Sequence, residues 1–190
     1  FGRIARVPTV QNILDIGAGD SDYAISQTRA GKRVTRIDRD YARVEPKGSD
    51  WLAGDITKGI EIPDHIADAS VSAFLMQHLS QEAQSQAIKE MLRVTRQYDE
   101  EEHNGVIGLY PVYKHDALEA SLKQAGFYDK VGLSTDYLAF DRVPLHERRL
   151  VYPTLIMPNW ADLTPDEQNR LVEAIVESQA FYRTRTVADM

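Results

Sequence analysis

The ten residues Asn12-Ile13-Leu14-Asp15-Ile16-Gly17-Ala18-Gly19-Asp20-Ser21 constrain this chain more than any other stretch. Ile13, Leu14 and Ile16 are apolar at both odd and even positions, which is what a strand buried on both faces of a parallel sheet needs. Gly17 and Gly19 then permit positive φ and leave bare backbone for a ligand to approach. Ser21 or Asp22 can cap a following helix, Tyr23 to Ala30, whose free N–H groups and positive dipole end face whatever sits on the turn. Gly31 stands where a C-terminal glycine cap belongs.

The chain beyond continues in the same style. Val34-Thr35-Arg36-Ile37 reads as a second strand with Asp38 at its carboxyl end, about twenty residues past the first glycine, the spacing of an acid that reaches ribose hydroxyls from the neighbouring strand. Only a short crossover fits between Asp38 and Asp50. Trp51 to Ile56 reads as a third strand carrying Asp55, Ile60 to Asp68 as irregular chain broken by Pro63, and Asp68 to Leu79 as a fourth strand running into a loop. Ser80 to Arg96 has a cap and an apolar face of Ala83, Ala87, Ile88, Met91, Leu92 and Val94, hence a helix. A strand over Gly105–Leu109, a helix over His115–Ala125 stopped by Gly126, and strands over Val131–Leu138 and Arg149–Met157, paired antiparallel, complete the sheet. Thr164-Pro165-Asp166-Glu167 is a capping box with proline at the first helical position, opening a helix to about Phe181.

Two ligand classes use a strand–glycine–helix turn. A dinucleotide site wants a third glycine three residues after the second, so that helix and strand close around a pyrophosphate; here that position is Asp22, which adds like charge. The strand acid Asp15 suits instead a ligand bearing an ammonium. The pattern resembles the first motif of the class I S-adenosylmethionine (SAM) methyltransferases, Asp/Glu-x-Gly-x-Gly-x-Gly, with Ser21 at the last glycine. Asp68 to Leu79 resembles the family's fourth motif, with Gln77-His78-Leu79 at its His-His-Leu end. No Asn-Pro-Pro-aromatic run is present, which argues against amino methylation of adenine or glutamine.

The resemblance spans about Asn12 to Met157. It implies an α/β, Rossmann-like, seven-stranded and mostly parallel sheet with helices on both faces, an antiparallel last strand and, here, an added C-terminal helix. In domain terms it implies a SAM-binding domain over residues 1–158, with 159–190 as a helical extension of the same domain. For the cofactor it implies that Asp15, Gly17, Ala18 and Gly19 hold the methionine portion of SAM. Asp38 takes the ribose, Arg39 lies on the adenine, Asp55 and Ile56 read the adenine edge, and Ala73 and Phe74 line the floor below the sulfonium. S-adenosylhomocysteine (SAH) is the product. His78 is the candidate base, against the plainer reading of a histidine packed at a helix start, since an imidazole titrates near neutrality. Tyr110 and Tyr113 are candidates to line the acceptor site, against an ordinary place in the core.

Composition narrows the partners. The formal charge of −7 disfavours a nucleic acid, whose affinity rests on Lys and Arg neutralising phosphates, and favours a small-molecule acceptor. With no cysteine, the chain has no disulfide, thiolate zinc site, iron–sulfur cluster or cysteine nucleophile, and no metal is expected. No apolar run reaches membrane-helix length, and the cytoplasm, where SAM is made, is the expected compartment. Two rival readings stand beside the enzyme: a non-catalytic SAM-fold subunit supporting a partner protein, and an NAD-type oxidoreductase. The one-sided helix after Thr164 must bury its apolar face, and the sequence reading assigns it to a cover over the acceptor site or a homodimer contact.

Overall fold

The structure is a computed structural model that describes residues 8–19, 31–40, 50–73, 75–97, 105–110, 115–129, 132–136, 152–156 and 163–188. In chain order its elements are β1 (Asn12–Ile16), β2 (Arg33–Asp38), β3 (Asp50–Ala53), β4 (Ala69–Ala73), α1 (Gln81–Val94), β5 (Val106–Tyr110), α2 (His115–Ala125), β6 (Gly132–Asp136), β7 (Tyr152–Ile156) and α3 (Pro165–Ala188). A single-turn 3-10 helix, Met76–His78, follows β4. The strands form one sheet in the order β3-β2-β1-β4-β5-β7-β6. β3, β2, β1, β4 and β5 are mutually parallel, and β7 runs antiparallel to both β5 and β6. Strand order reverses between β1 and β4. In an open parallel sheet such a switch point leaves a crevice beyond the carboxyl ends of the strands, and that is where a ligand belongs.

Register fixes which residues share a face. Leu14 pairs with Thr35 and Ser70, and Ile16 with Ile37 and Ser72. These positions, with Leu52, Ile107 and Leu109, form the face covered by α1, α2 and α3. The core there joins Ala87, Ile88, Met91 and Leu92 of α1 to Leu118 and Leu122 of α2 and to Leu171, Val172, Ile175 and Val176 of α3. Two buried hydroxyls on this side satisfy each other: Thr95 Oγ1 donates to the Met91 carbonyl (2.6 Å), so the 2.7 Å contact with Ser70 Oγ is a bond donated by the serine. The opposite face carries Ile13, Asp15, Val34, Arg36, Trp51 and Val71 in aligned rows.

Two expectations change. The capping box is present: Glu167 N donates to Thr164 Oγ1 (3.3 Å) and Thr164 N donates to Glu167 Oε2 (2.9 Å). The apolar stripe it opens, however, packs onto α1 and α2 within the sheet's own helical layer and is buried there. The burial of Leu171, Val172, Ile175 and Val176 is thus met within the fold, without calling on a lid or a dimer contact. The apolar face of α1 also differs by one residue, because Gln84 is buried and Ala83 is only half-buried. The helix expected over Tyr23 to Ala30 lies outside the described residues.

Candidate functional site

At the carboxyl end of β1 the chain turns through Gly17 (φ 68°) and Gly19 (φ 46°), both in the left-handed region that favours glycine. The turn is bound to β2 at four points. Gly17 N and Ala18 N donate to the Ile37 carbonyl (2.8 and 3.3 Å), Gly19 N donates to Asp38 Oδ2 (2.9 Å), and Arg36 Nη2 donates to the Gly19 carbonyl (2.7 Å). A Cβ on Gly17 would stand 2.8 Å from Leu75 Cβ, so the chain beyond β4 lies directly on the turn.

Asp38 ends β2 with its side chain folded over this turn. Its second oxygen accepts from Asp40 N (2.8 Å). A carboxylate has about four acceptor sites, so two remain for the hydroxyls of a ligand. Asp55 stands two residues beyond β3 rather than within it. Its Oδ1 accepts from Thr57 N (3.1 Å) and Thr57 Oγ1 (2.6 Å), and Lys58 Nζ lies 3.5 Å from Oδ2. The Thr57 hydroxyl bond, ahead of the backbone bond and Lys58, holds Asp55 below the usual carboxylate range despite partial burial. It is therefore an ionised acceptor at neutral pH.

These residues surround one pocket. Its walls include Gly17, Asp38, Arg39, Asp55, Ile56 and, from across the crevice, His78. Of the expected cofactor residues, Ala18 is buried in the turn and Gly19 is half-exposed beside it. Neither lines the pocket, and nor does Asp15. Asp15 is 2 % exposed, with Arg36 and Val71 as its register neighbours on the far face. Desolvation raises its carboxyl from 3.8 to about 7, against the pull of Arg36 and with a smaller push from Asp38. Its Oδ2 is buried without a hydrogen-bond partner. Ala73 and Tyr110 are register partners at the carboxyl ends of β4 and β5, with side chains outside the described residues, as are Phe74 and Tyr113.

Three residues that build the site are missing from the sequence reading. Arg36 grips the glycine turn. Gln84 Nε2 donates to the carbonyls of Met76 (2.9 Å) and Leu79 (3.3 Å), fixing the turn that carries His78. Arg93 reaches from α1 to the carbonyls of Ile62 (2.8 Å) and Ile60 (3.1 Å) and to Asp64 and Glu90, while Glu90 Oε1 accepts from Ile60 N (2.8 Å). Together they moor the segment that follows Asp55. Period-two reading could have flagged Arg36, which shares a face with Val34 and Asp38; Gln84 and Arg93 carry no such signal. Asp68, read as a motif acid, serves the frame instead. Its Oδ2 accepts from Gln11 N (2.9 Å) and Asn12 N (2.8 Å) at the start of β1, and its Oδ1 pairs with Arg96 (3.0 Å).

Comparison with known proteins bears on the fold. Residues 14–98 match the family model described as a methyltransferase domain. No curated protein matches by sequence. Among solved structures, the 1,6-didemethyltoxoflavin-N1-methyltransferase of Burkholderia thailandensis, bound to 1,6-didemethyltoxoflavin and SAH, is similar over 80% of this chain and 72% of its own, with 15% identity and a TM-score of 0.53. A Methanococcus maripaludis protein assigned as a SAM-dependent methyltransferase is similar over 86% and 84%, with 13% identity and a TM-score of 0.52. A protein assigned as a methyltransferase, in complex with the Haloferax volcanii Trm112 methyltransferase activator, is similar over 83% and 88%, with 15% identity and a TM-score of 0.50. At these identities the likeness is one of fold.

Proposed function

We propose that this chain is a class I, Rossmann-like methyltransferase that transfers the methyl group of SAM to a small or medium-sized acceptor; the methyltransferase-domain match over residues 14–98 and the fold support this. One observation carries the cofactor reading. The Gly19 N–H, which a pyrophosphate would need, is already taken by the Asp38 carboxylate, and the pocket beyond holds a second ionised acid, Asp55. Such a pocket repels a dinucleotide's phosphates and suits a ligand with hydroxyls, an amino group and a cationic centre.

In this reading Asp38 accepts from the ribose hydroxyls, Asp55 and the Ile56 backbone read the adenine edge, and Arg39 covers the base. Gly17, Ala18 and Gly19 hold the methionine portion, with the Asp15 carboxyl beneath the turn. Ala73 and Phe74 form the floor, and Tyr110 and Tyr113 the acceptor side. SAM supplies a methyl group already activated by its sulfonium charge, passed by in-line displacement. The chain's own work is to align the acceptor and exclude water. His78, exposed at the pocket mouth, is the group placed to take a proton from an acceptor that must lose one. The net charge of −7 supports a small acceptor over a nucleic acid. Among the described residues no helix is long and apolar enough to cross a membrane.

Calorimetric titration with SAM, SAH and NAD tests this. Saturable binding of SAM and SAH without NAD is expected. Binding of NAD alone overturns the reading in favour of an oxidoreductase.

A further inference from the structure

We propose that Arg36 is a positioning residue for the cofactor: by holding the Gly19 carbonyl from below, it fixes the distance between the glycine turn and the ribose acid Asp38. This rests on the SAM reading above. Arg36 is 1 % exposed, in the middle of the β2 face opposite the helical layer. Burying a guanidinium there costs far more than burying an apolar side chain of equal volume. What an arginine adds is direction, since its planar fork donates along fixed lines. Its carbon CZ sits 4.1 Å from the centre of the Trp51 ring, which lies beside it in register, so the plane of the fork is set by β3. Nη2 then meets the Gly19 carbonyl at 2.7 Å.

Two residues on, from the same face of the same strand, Asp38 Oδ2 accepts the N–H of the same glycine at 2.9 Å. Gly19 is thus held at both polar backbone groups by two side chains of β2. At φ 46° and without a Cβ, Gly19, like Gly17, has backbone freedom that only its hydrogen bonds restrain. Gly17 and Ala18 are tied to a main-chain carbonyl, Ile37, and do not depend on Arg36. With Arg36 gone, the Gly19 carbonyl loses its side-chain donor while the Gly17 and Ala18 bonds to Ile37 stay in place. Asp38 then loses its fixed partner, and the turn that holds the methionine portion shifts against the acid that holds the ribose.

The test uses Arg36→Met, which keeps length and stacking but donates nothing, and Arg36→Lys, which restores a single charged donor. Two quantities are read: SAH affinity by calorimetry, and exchange of the Gly19 amide against the Gly17 amide by NMR without ligand. Arg36→Met is expected to weaken SAH about tenfold, the loss of one charge-assisted hydrogen bond, and to speed Gly19 exchange by a similar factor while Gly17 stays within about twofold. Arg36→Lys is expected to recover most of both. Unchanged Gly19 exchange in Arg36→Met, or equal acceleration at Gly17 and Gly19, overturns the proposal. Should Arg36→Met not fold, Arg36→Gln, with a shorter and neutral donor, is read by the same exchange ratio. If the parent chain binds no SAH, the functional reading falls, and the exchange ratio still decides whether Arg36 holds the turn.

Discussion

Replacing Asp15 with asparagine isolates the least expected feature of the site. Asp15 is 2 % exposed, and burial lifts its carboxyl from 3.8 to about 7. Between those values the folded chain keeps a proton that the unfolded chain has released. Stability therefore falls as pH rises from about 4 to about 7, and this contribution levels off above that. The gap is about 3 pH units at about 1.4 kcal/mol each, so ionising Asp15 in place costs about 4 kcal/mol. Asparagine mimics the protonated acid at every pH and removes the term. Urea unfolding of both proteins from pH 4 to pH 8 gives the difference directly, and all other titrating groups cancel in it. The variant's advantage is expected to grow by about 4 kcal/mol across that range. A difference that stays constant within about 1 kcal/mol means that Asp15 titrates like a solvated carboxylate, and the burial of this residue beside Arg36 is then wrong.

Three other outcomes are expected. Gly17→Ala sets a Cβ 2.8 Å from Leu75 Cβ at φ 68°; left-handed strain and overpacking together cost about 2–5 kcal/mol, read as a lower urea midpoint, and SAH binding fails with it. Ile175→Ala, at a fully buried position of α3, costs about 2–5 kcal/mol with no change of oligomeric state by light scattering; a stable variant with altered assembly would return this helix to an interface role. Arg93→Met removes the guanidinium donor from the Ile60 and Ile62 carbonyls and from Glu90, which keeps only the Ile60 N–H. Limited proteolysis should then cut within residues 60–66 faster than in the parent, whereas an unchanged digestion pattern would mean that Arg93 does not moor this segment.

Much of the frame was legible because it rests on local chemistry. Glycines at the end of an apolar run, acids at strand ends and a capping box each act within a few residues of themselves, and β1, β2, α1 and the start of α3 lie where such signals put them. What was not legible depends on partners distant in sequence. Asp15 reads as an acid for the ligand, and its burial beside Arg36 shows only in the register of β1 with β2. Gln84 and Arg93 look like the polar side of an amphipathic helix, yet each turns inward to carbonyls of loops that no helical period can see. The stripe of α3 announced that it must be buried, and pattern alone could not say that α1 and α2 leave room for it. Within the site, the spacing of Gly17, Asp38 and Asp55 was readable, and the side-chain grip on Gly19 was not.

The most direct test of the account is the dissociation constant of SAH for Asp38→Ala against the parent chain, with folding checked by circular dichroism. Asp38 is the residue on which turn, pocket and ribose assignment converge. Losing hydrogen bonds to a charged acceptor should weaken binding by about 1.5–3 kcal/mol, roughly ten- to a hundredfold. An equal dissociation constant in a folded variant would contradict the claim that this pocket holds the ribose of SAM.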